Sequence, residues 1–264
     1  MPPKKSQRAK TKPAKVIAKR KSKVRARAVI AAGQSSRNFS GKRTEACDVD
    51  YLLFLPKDYR ASARKKWPLI LFLHGAGERG DDLALVAKHG PPKIATEQPD
   101  FPFIIVSPQC PDGQVWDDVP LLALLDHVTG THRVDARRVY LTGVSMGGFG
   151  AWHLAFQHPE RFAAVVPICG GDATVRLRLA DFSVADCARL PALRSLGIWA
   201  FHGGRDDVVP LDESARLVEL LRELRVKDLH FTIYPEAGHD AWTETYANPK
   251  LYEWFLAHER KSAK

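Results

Sequence analysis

The sequence contains no run of eighteen apolar residues, so it encodes no helix that could cross a bilayer. Near its start the longest clean apolar stretch is residues 28–32, too short for the core of a signal peptide, and a cytoplasmic protein is expected. Cysteine is scarce. Cys47, Cys110, Cys169 and Cys187 have neither metal-ligand spacing nor the density of a disulfide scaffold, which leaves reduced structural thiols; Cys169 falls in an apolar run where a small thiol packs well. No internal repeat is found, and acidic residues are missing altogether from residues 1–27.

That last absence divides the chain. Twelve of the 40 Lys and Arg lie within residues 4–27, and the rest of the chain holds 28 basic residues against 30 acidic ones. The formal charge of +10 therefore belongs to the N-terminal segment, and the remainder is slightly acidic. Residues 1–38 read as a basic, disordered arm, punctuated by Pro and Lys and with little to bury. The arm either makes nonspecific contact with a polyanion by releasing counterions, or serves as a solubilising tail; no aromatic interleaves to stack on bases. Residues 39–264 are long enough to bury a sizeable core as one domain.

From residue 48 onward short apolar runs alternate with helical patterns. Residues 51–55, 69–73, 103–107, 138–142, 162–168, 198–201 and 229–234 are continuous and apolar or β-branched, which suits strands covered on both faces. Helical patterns occupy 121–128, 147–157, 212–224 and 251–258, the third with Asp212 as candidate N-cap. Strand alternating with helix predicts a mostly parallel α/β sheet with helices on both faces. Residues 172–195 lack a clear period and read as a small lid or an excursion over the sheet edge.

Residues 143–147 read G-V-S-M-G between a strand and a helix. A nucleophile elbow needs this order: the serine sits on a sharp, strained turn, and glycines on either side remove Cβ atoms that would collide. Composition alone gives roughly 0.06 such matches per chain, and the strand-to-helix placement is a second, independent requirement. A serine there needs a base, and the base needs a carboxylate to hold its tautomer. His239, in P-E-A-G-H-D after the last strand, is the best-placed base. His202 opens H-G-G-R-D and is expected to order the acid loop, while His153 lies in the elbow helix and reads as packing. Asp206 is favoured as the acid, with Asp207 as its solvated neighbour, because a turn at a strand's carboxyl end faces the sheet's reactive edge.

An oxyanion needs fixed N–H donors. Met146, following the serine, supplies one. Ala76, or alternatively Gly77, supplies the second from H-G-A-G-E-R-G at 74–80, which lacks the G-K-[ST] ending of a phosphate loop. Trp116 and Trp242 either line the substrate cleft or close the core. No metal or cofactor is expected, and Glu78, Arg79 and Asp81 read as a salt-linked loop.

Taken together these motifs resemble those of an α/β-hydrolase of the carboxylesterase and predicted-peptidase group, related to feruloyl esterases and polyhydroxybutyrate depolymerases. The resemblance is carried by Y-L-L-F-L-P-K-D-Y at 51–59, L-H-G-A-G-E-R-G-D at 73–81, S-P-Q-C-P at 107–111 with Trp116, Y-L-T-G-V-S-M-G-G at 140–148, W-A-F-H-G-G-R-D at 199–206 and G-H-D-A-W at 238–242. It implies Ser145, Asp206 and His239 as a triad and a small-molecule ester as substrate, cleaved through an acyl-enzyme. The alternatives are a serine peptidase or amidase with the same triad, and a polyanion-binding protein on a hydrolase scaffold.

Overall fold

The computed structural model describes residues 33–42, 46–61, 63–172 and 184–260. Its eight strands are β1 (Gln34–Lys42), β2 (Ala46–Phe54), β3 (Trp67–Leu73), β4 (Ile104–Pro108), β5 (Val134–Val144), β6 (Ala164–Ile168), β7 (Gly197–Gly203) and β8 (Leu229–Tyr234). They form one sheet in the order β1-β2-β4-β3-β5-β6-β7-β8. The β1-β2 hairpin and the β2-β4 pair are antiparallel, and every other pair is parallel. The mostly parallel α/β sheet expected from the sequence is therefore present.

The helices among the described residues are α1 (Leu83–Val86), α2 (Gly90–Glu97), α3 (Asp118–Thr131), α4 (Met146–Gln157), α5 (Val184–Ser195), α6 (Asp212–Glu223), α7 (Trp242–Ala247) and α8 (Pro249–Ala257). None is long and apolar enough to cross a membrane. Strand β3 shows why the central strands read as unbroken apolar runs. Leu69, Leu71 and Leu73 join the core beneath α3, α4 and α6, while Ile70 and Phe72 join the core beneath α2, α7 and α8. Each such fully buried side chain contributes roughly 1.5–3 kcal/mol, so the two-sided strands anchor the loops at their ends.

Two expectations are corrected here. Residues 34–38, assigned to the arm, form the first half of β1, paired from Gln34 opposite Phe54 to Lys42 opposite Ala46. The Asn38 amide donates to Asp48 and Asp50 of β2 at 2.6 and 3.0 Å, so the strand is held chiefly by pairing, with Phe39 packed against the core. Asp212 is not the N-cap of α6 but its first residue: Leu211 takes the cap position with no side-chain bond. There the carboxylate still faces the positive end of the helix dipole and pairs with Arg216 at 3.3 Å. In residues 172–195, the stretch 184–195 is helix α5. The rest of the arm, residues 1–32, lies outside the described residues, as do 173–183 of the expected lid and the Cys187 side chain.

Strand order reverses around β3, with β4 on one side and β5 on the other. In an open parallel sheet the crevice beyond the carboxyl ends of such strands is where ligands bind. The loops after β3, β5, β7 and β8 all open on that edge.

Candidate active site

Ser145 sits between β5 and α4 with φ 53° and ψ −119°, a left-handed conformation that an L-residue adopts only under strain. Two backbone bonds hold it there: its N–H donates to Ile168 O at 3.0 Å, and its carbonyl accepts from the Phe149 N–H at 3.0 Å. The flanking glycines are required by contact. A Cβ on Gly143 would lie 2.2 Å from Gly147 O, and one on Gly147 would lie 2.0 Å from Leu73 O.

Ser145 Oγ is 2.9 Å from His239 Nε2, and His239 Nδ1 is 2.8 and 3.0 Å from the two carboxylate oxygens of Asp206. The structure thus brings together the three side chains singled out in the sequence, which lie 33 and 94 residues apart. Asp206 Oδ1 also accepts the Val208 and Val209 N–H groups at 3.0 and 2.9 Å. Burial pushes the Asp206 carboxyl up, but the bonds from His239 and from the Val209 and Val208 amides outweigh it and hold the group below its ordinary value. Asp207 is exposed, as a solvated neighbour should be.

Met146 is the first residue of α4, and Ala76 is the first residue of a 3-10 turn, Ala76–Glu78, that follows β3. An N–H at either position has no partner within its own helix and is free by geometry to meet an anion. The turn lies against the nucleophile: a Cβ on Gly75 would be 3.6 Å from Ser145 Cβ. His74 fixes this loop in a way the sequence did not reveal. Its Nε2 accepts from the Cys110 N–H at 3.0 Å, so its proton is on Nδ1, which donates to Gly75 O at 2.7 Å. Burial holds His74 below the ordinary histidine value. Trp116 Nε1 donates to His74 O at 3.1 Å, Gly80 N–H donates to Cys110 O at 3.0 Å, and the Gln109 amide donates to Glu78 O. These bonds strap residues 74–80 onto residues 109–116. The salt link expected among Glu78, Arg79 and Asp81 is not how the loop is held: Glu78 pairs with Lys88 at 3.8 Å and lies 3.6 Å from His89 Nε2, while Arg79 bonds the carbonyls of Ala76 and Gln114.

A cavity of about 490 Å³ opens beside Ser145, with Trp116, Met146 and Phe149 among its walls and His153 and Asp172 also bordering it. Trp242 packs edge-on against His239, with ring centroids 5.2 Å apart, and against His89 at 5.6 Å. His153, read from sequence as packing, instead borders the cavity, with Nδ1 3.7 Å from Asp172 Oδ2. Cys47, Cys110 and Cys169 are all buried.

Residues 92–260 match the dienelactone hydrolase family. Among curated proteins the chain is 29% identical over 157 residues to a carboxymethylenebutenolidase-like protein of Methylorubrum extorquens, covering 59% of this chain and 50% of that protein. It is 26% identical over 220 residues to a bifunctional acetylxylan esterase/xylanase of Neocallimastix patriciarum, covering 81% of this chain and 29% of that protein. Among solved structures a thermostable esterase aligns with TM-score 0.66 at 30% identity, covering 85% of this chain and 63% of its own. A ferulic acid esterase aligns with TM-score 0.60 at 21% identity, over 84% and 96%, and shares the fold. The chain spans about half the length of the curated carboxymethylenebutenolidase-like relatives it matches. With the family match spanning more than half of its residues, the chain belongs to the dienelactone hydrolase family and carries the α/β-hydrolase fold.

Proposed function

We propose that this protein is a serine hydrolase of carboxylic esters. The observation that carries the reading is the unbroken hydrogen-bonded series from Ser145 Oγ through His239 to Asp206, opening onto a cavity at the carboxyl edge of the sheet. In this reading Ser145 Oγ attacks the ester carbonyl while His239 Nε2 takes its proton. The Met146 and Ala76 N–H groups receive the oxyanion, and His239 returns the proton to the departing alcohol. Water, activated by the same imidazole, then attacks the acyl-enzyme and releases the acid. Asp206 keeps the His239 proton on Nδ1 throughout, so that Nε2 is the basic nitrogen in each half-reaction.

Short and aromatic acyl groups are the favoured substrates. Trp116 and Phe149 give the cavity apolar aromatic walls against which an aryl acyl group can stack. The esterase neighbour at 30% identity supports the ester bond as the target. The test is Ser145→Ala: hydrolysis of 4-nitrophenyl acetate is lost with the melting temperature retained, and a fluorophosphonate probe labels the wild type at residue 145 alone. Labelling of the Ser145→Ala protein means the nucleophile lies elsewhere.

A further inference from the structure

His202 is the penultimate residue of β7, fully buried, and takes no part in the steps above. Its Nε2 lies 2.9 Å from Val209 O and 3.3 Å from Asp206 Oδ2. Both neighbours are acceptors only, so Nε2 carries a proton and donates. On the other side of the ring Nδ1 lies 2.8 Å from the Ser214 hydroxyl, whose single proton has two acceptors within reach, Nδ1 and Gly170 O at 2.7 Å. One side chain therefore joins three segments: the acid turn 206–209, helix α6 through Ser214, and the loop after β6, whose next two residues, Gly171 and Asp172, border the cavity.

We propose that His202 is the positioning residue of the triad acid, holding the acid turn through the Nε2 proton it donates to Val209 O, facing Asp206 Oδ2 at 3.3 Å, and tying that turn to the cavity wall through Ser214. This inference rests on the serine-esterase reading and deepens it. Asp206 Oδ1 is occupied by the Val208 and Val209 amides, which orient the carboxylate about its own turn but leave Oδ2 to be directed. His202 and His239 approach Oδ2 at 3.3 and 2.8 Å, so the two imidazoles fix its direction between them. The Nε2 proton of His202 goes to Val209 O at 2.9 Å, and a carbonyl left unpaired there would pull the turn open.

The ligating atoms of Cys169, His202 and Asp206 lie within 4.8 Å of one another, a spacing that would also suit a cation. Hydrogen-bond bookkeeping argues for the clamp instead. His202 Nε2 has its proton committed to Val209 O, and both Asp206 oxygens already accept N–H bonds. Burial, the first cause, pushes the Cys169 thiol up to about 12, so its sulfur stays protonated and is a poor ligand.

Three variants separate positioning from mere support of the fold. In His202→Gln the amide nitrogen reaches the place of Nε2 and keeps the donor to Val209 O. In His202→Asn the shorter amide sits near Nδ1 and keeps only the Ser214 side. His202→Leu keeps the volume and neither bond. With kcat and KM measured on 4-nitrophenyl acetate and active sites counted by fluorophosphonate titration, kcat per active site falls about 30-fold in Asn and Leu but less than about 5-fold in Gln, with KM nearly unchanged in all three, as orienting partners of catalytic groups do. In an Asp206→Asn background the Leu change costs less than about 3-fold, since the group it directs is already lost. Equal kcat losses in Gln and Asn, or a full 30-fold loss for Leu on top of Asp206→Asn, would overturn the proposal; should Leu fail to fold, the Gln and Asn pair still decides. Activity retained by Ser145→Ala would overturn the underlying reading instead, and the two failures are distinguishable in one set of assays.

Discussion

Replacing Asp206 by Asn changes one oxygen to an amide nitrogen without changing the shape, and the structure dictates which one. At the Oδ1 position an NH₂ would face two N–H donors, from Val208 and Val209, at 3.0 and 2.9 Å. The amide therefore turns its oxygen to the backbone and its nitrogen to the Oδ2 position, 2.8 Å from His239 Nδ1. That nitrogen donates, so His239 must accept at Nδ1 and move its own proton to Nε2. The proton then sits between Nε2 and Ser145 Oγ, where the lone pair of the base is needed. A triad with its base in the wrong tautomer loses about 10⁴ in kcat, which is about 5.4 kcal/mol of transition-state stabilisation. The fold also weakens, by roughly 1.5–3 kcal/mol for charge-assisted bonds exchanged for neutral ones at a buried side chain. Steady-state kinetics on 4-nitrophenyl acetate, with urea unfolding alongside, measure both terms. Asp207→Asn, at an exposed position, should stay within about threefold of wild type, as surface substitutions do. Activity of Asp206→Asn within tenfold of wild type would refute the tautomer argument, and a severe loss in Asp207→Asn would move the acid by one residue.

Acid should destabilise the fold through His74. Burial holds its folded-state pKa below the ordinary 6.5, so its stabilising contribution is complete above that value and is lost as pH falls from 6.5 through the folded-state value. His89 and His132, also lowered by burial, act with the same sign. The urea midpoint should fall between pH 7.5 and 5.5, less steeply in His74→Asn, and equal slopes would remove His74 from the account. Among acetyl, butyryl, cinnamoyl and palmitoyl esters and a peptide anilide, the short and aryl esters should turn over fastest; a palmitoyl maximum, or anilide turnover to match, would contradict the reading of the cavity.

The fold was legible where a strand is covered on both faces, because burial then writes an unbroken apolar run into the sequence, as at residues 69–73. It was illegible at the edge. Strand β1 reads Q-S-S-R-N-F-S-G-K, with Phe39 its one large hydrophobe, and pairing with β2 supplies what its composition does not. Helix α2 opens Gly-Pro-Pro, residues that punctuate a chain when read singly. At the first turn of a helix, however, proline forfeits only an N–H that would have had no partner.

The candidate site shows a similar division. Ser145 and Asp206 stand in local strings whose glycines, Gly143, Gly147, Gly203 and Gly204, are demanded by backbone contact, whereas Gly238 beside His239 has room for a Cβ. The supports could be read only in part. The H-G-G-R-D string suggested that His202 orders the acid loop, but its partner Ser214 lies 12 residues on and in turn meets the Gly170 carbonyl across 44, while His74 meets the Cys110 amide across 36; a backbone carbonyl or amide is carried by almost any residue and leaves no mark in the sequence. His153 is the instructive case, since its signal was present and was assigned to the wrong face. Residues 146, 149, 150 and 153 recur at helical spacing and form one stripe of α4. The opposite stripe, Ala151, Trp152, Leu154 and Ala155, is the one that enters the core. A helix that starts at a nucleophile elbow has its orientation set by that elbow: the face beginning at the residue after the serine must continue along the site. Position 153, two turns on from Met146, therefore belongs to the cavity beside Ser145 before it belongs to the core.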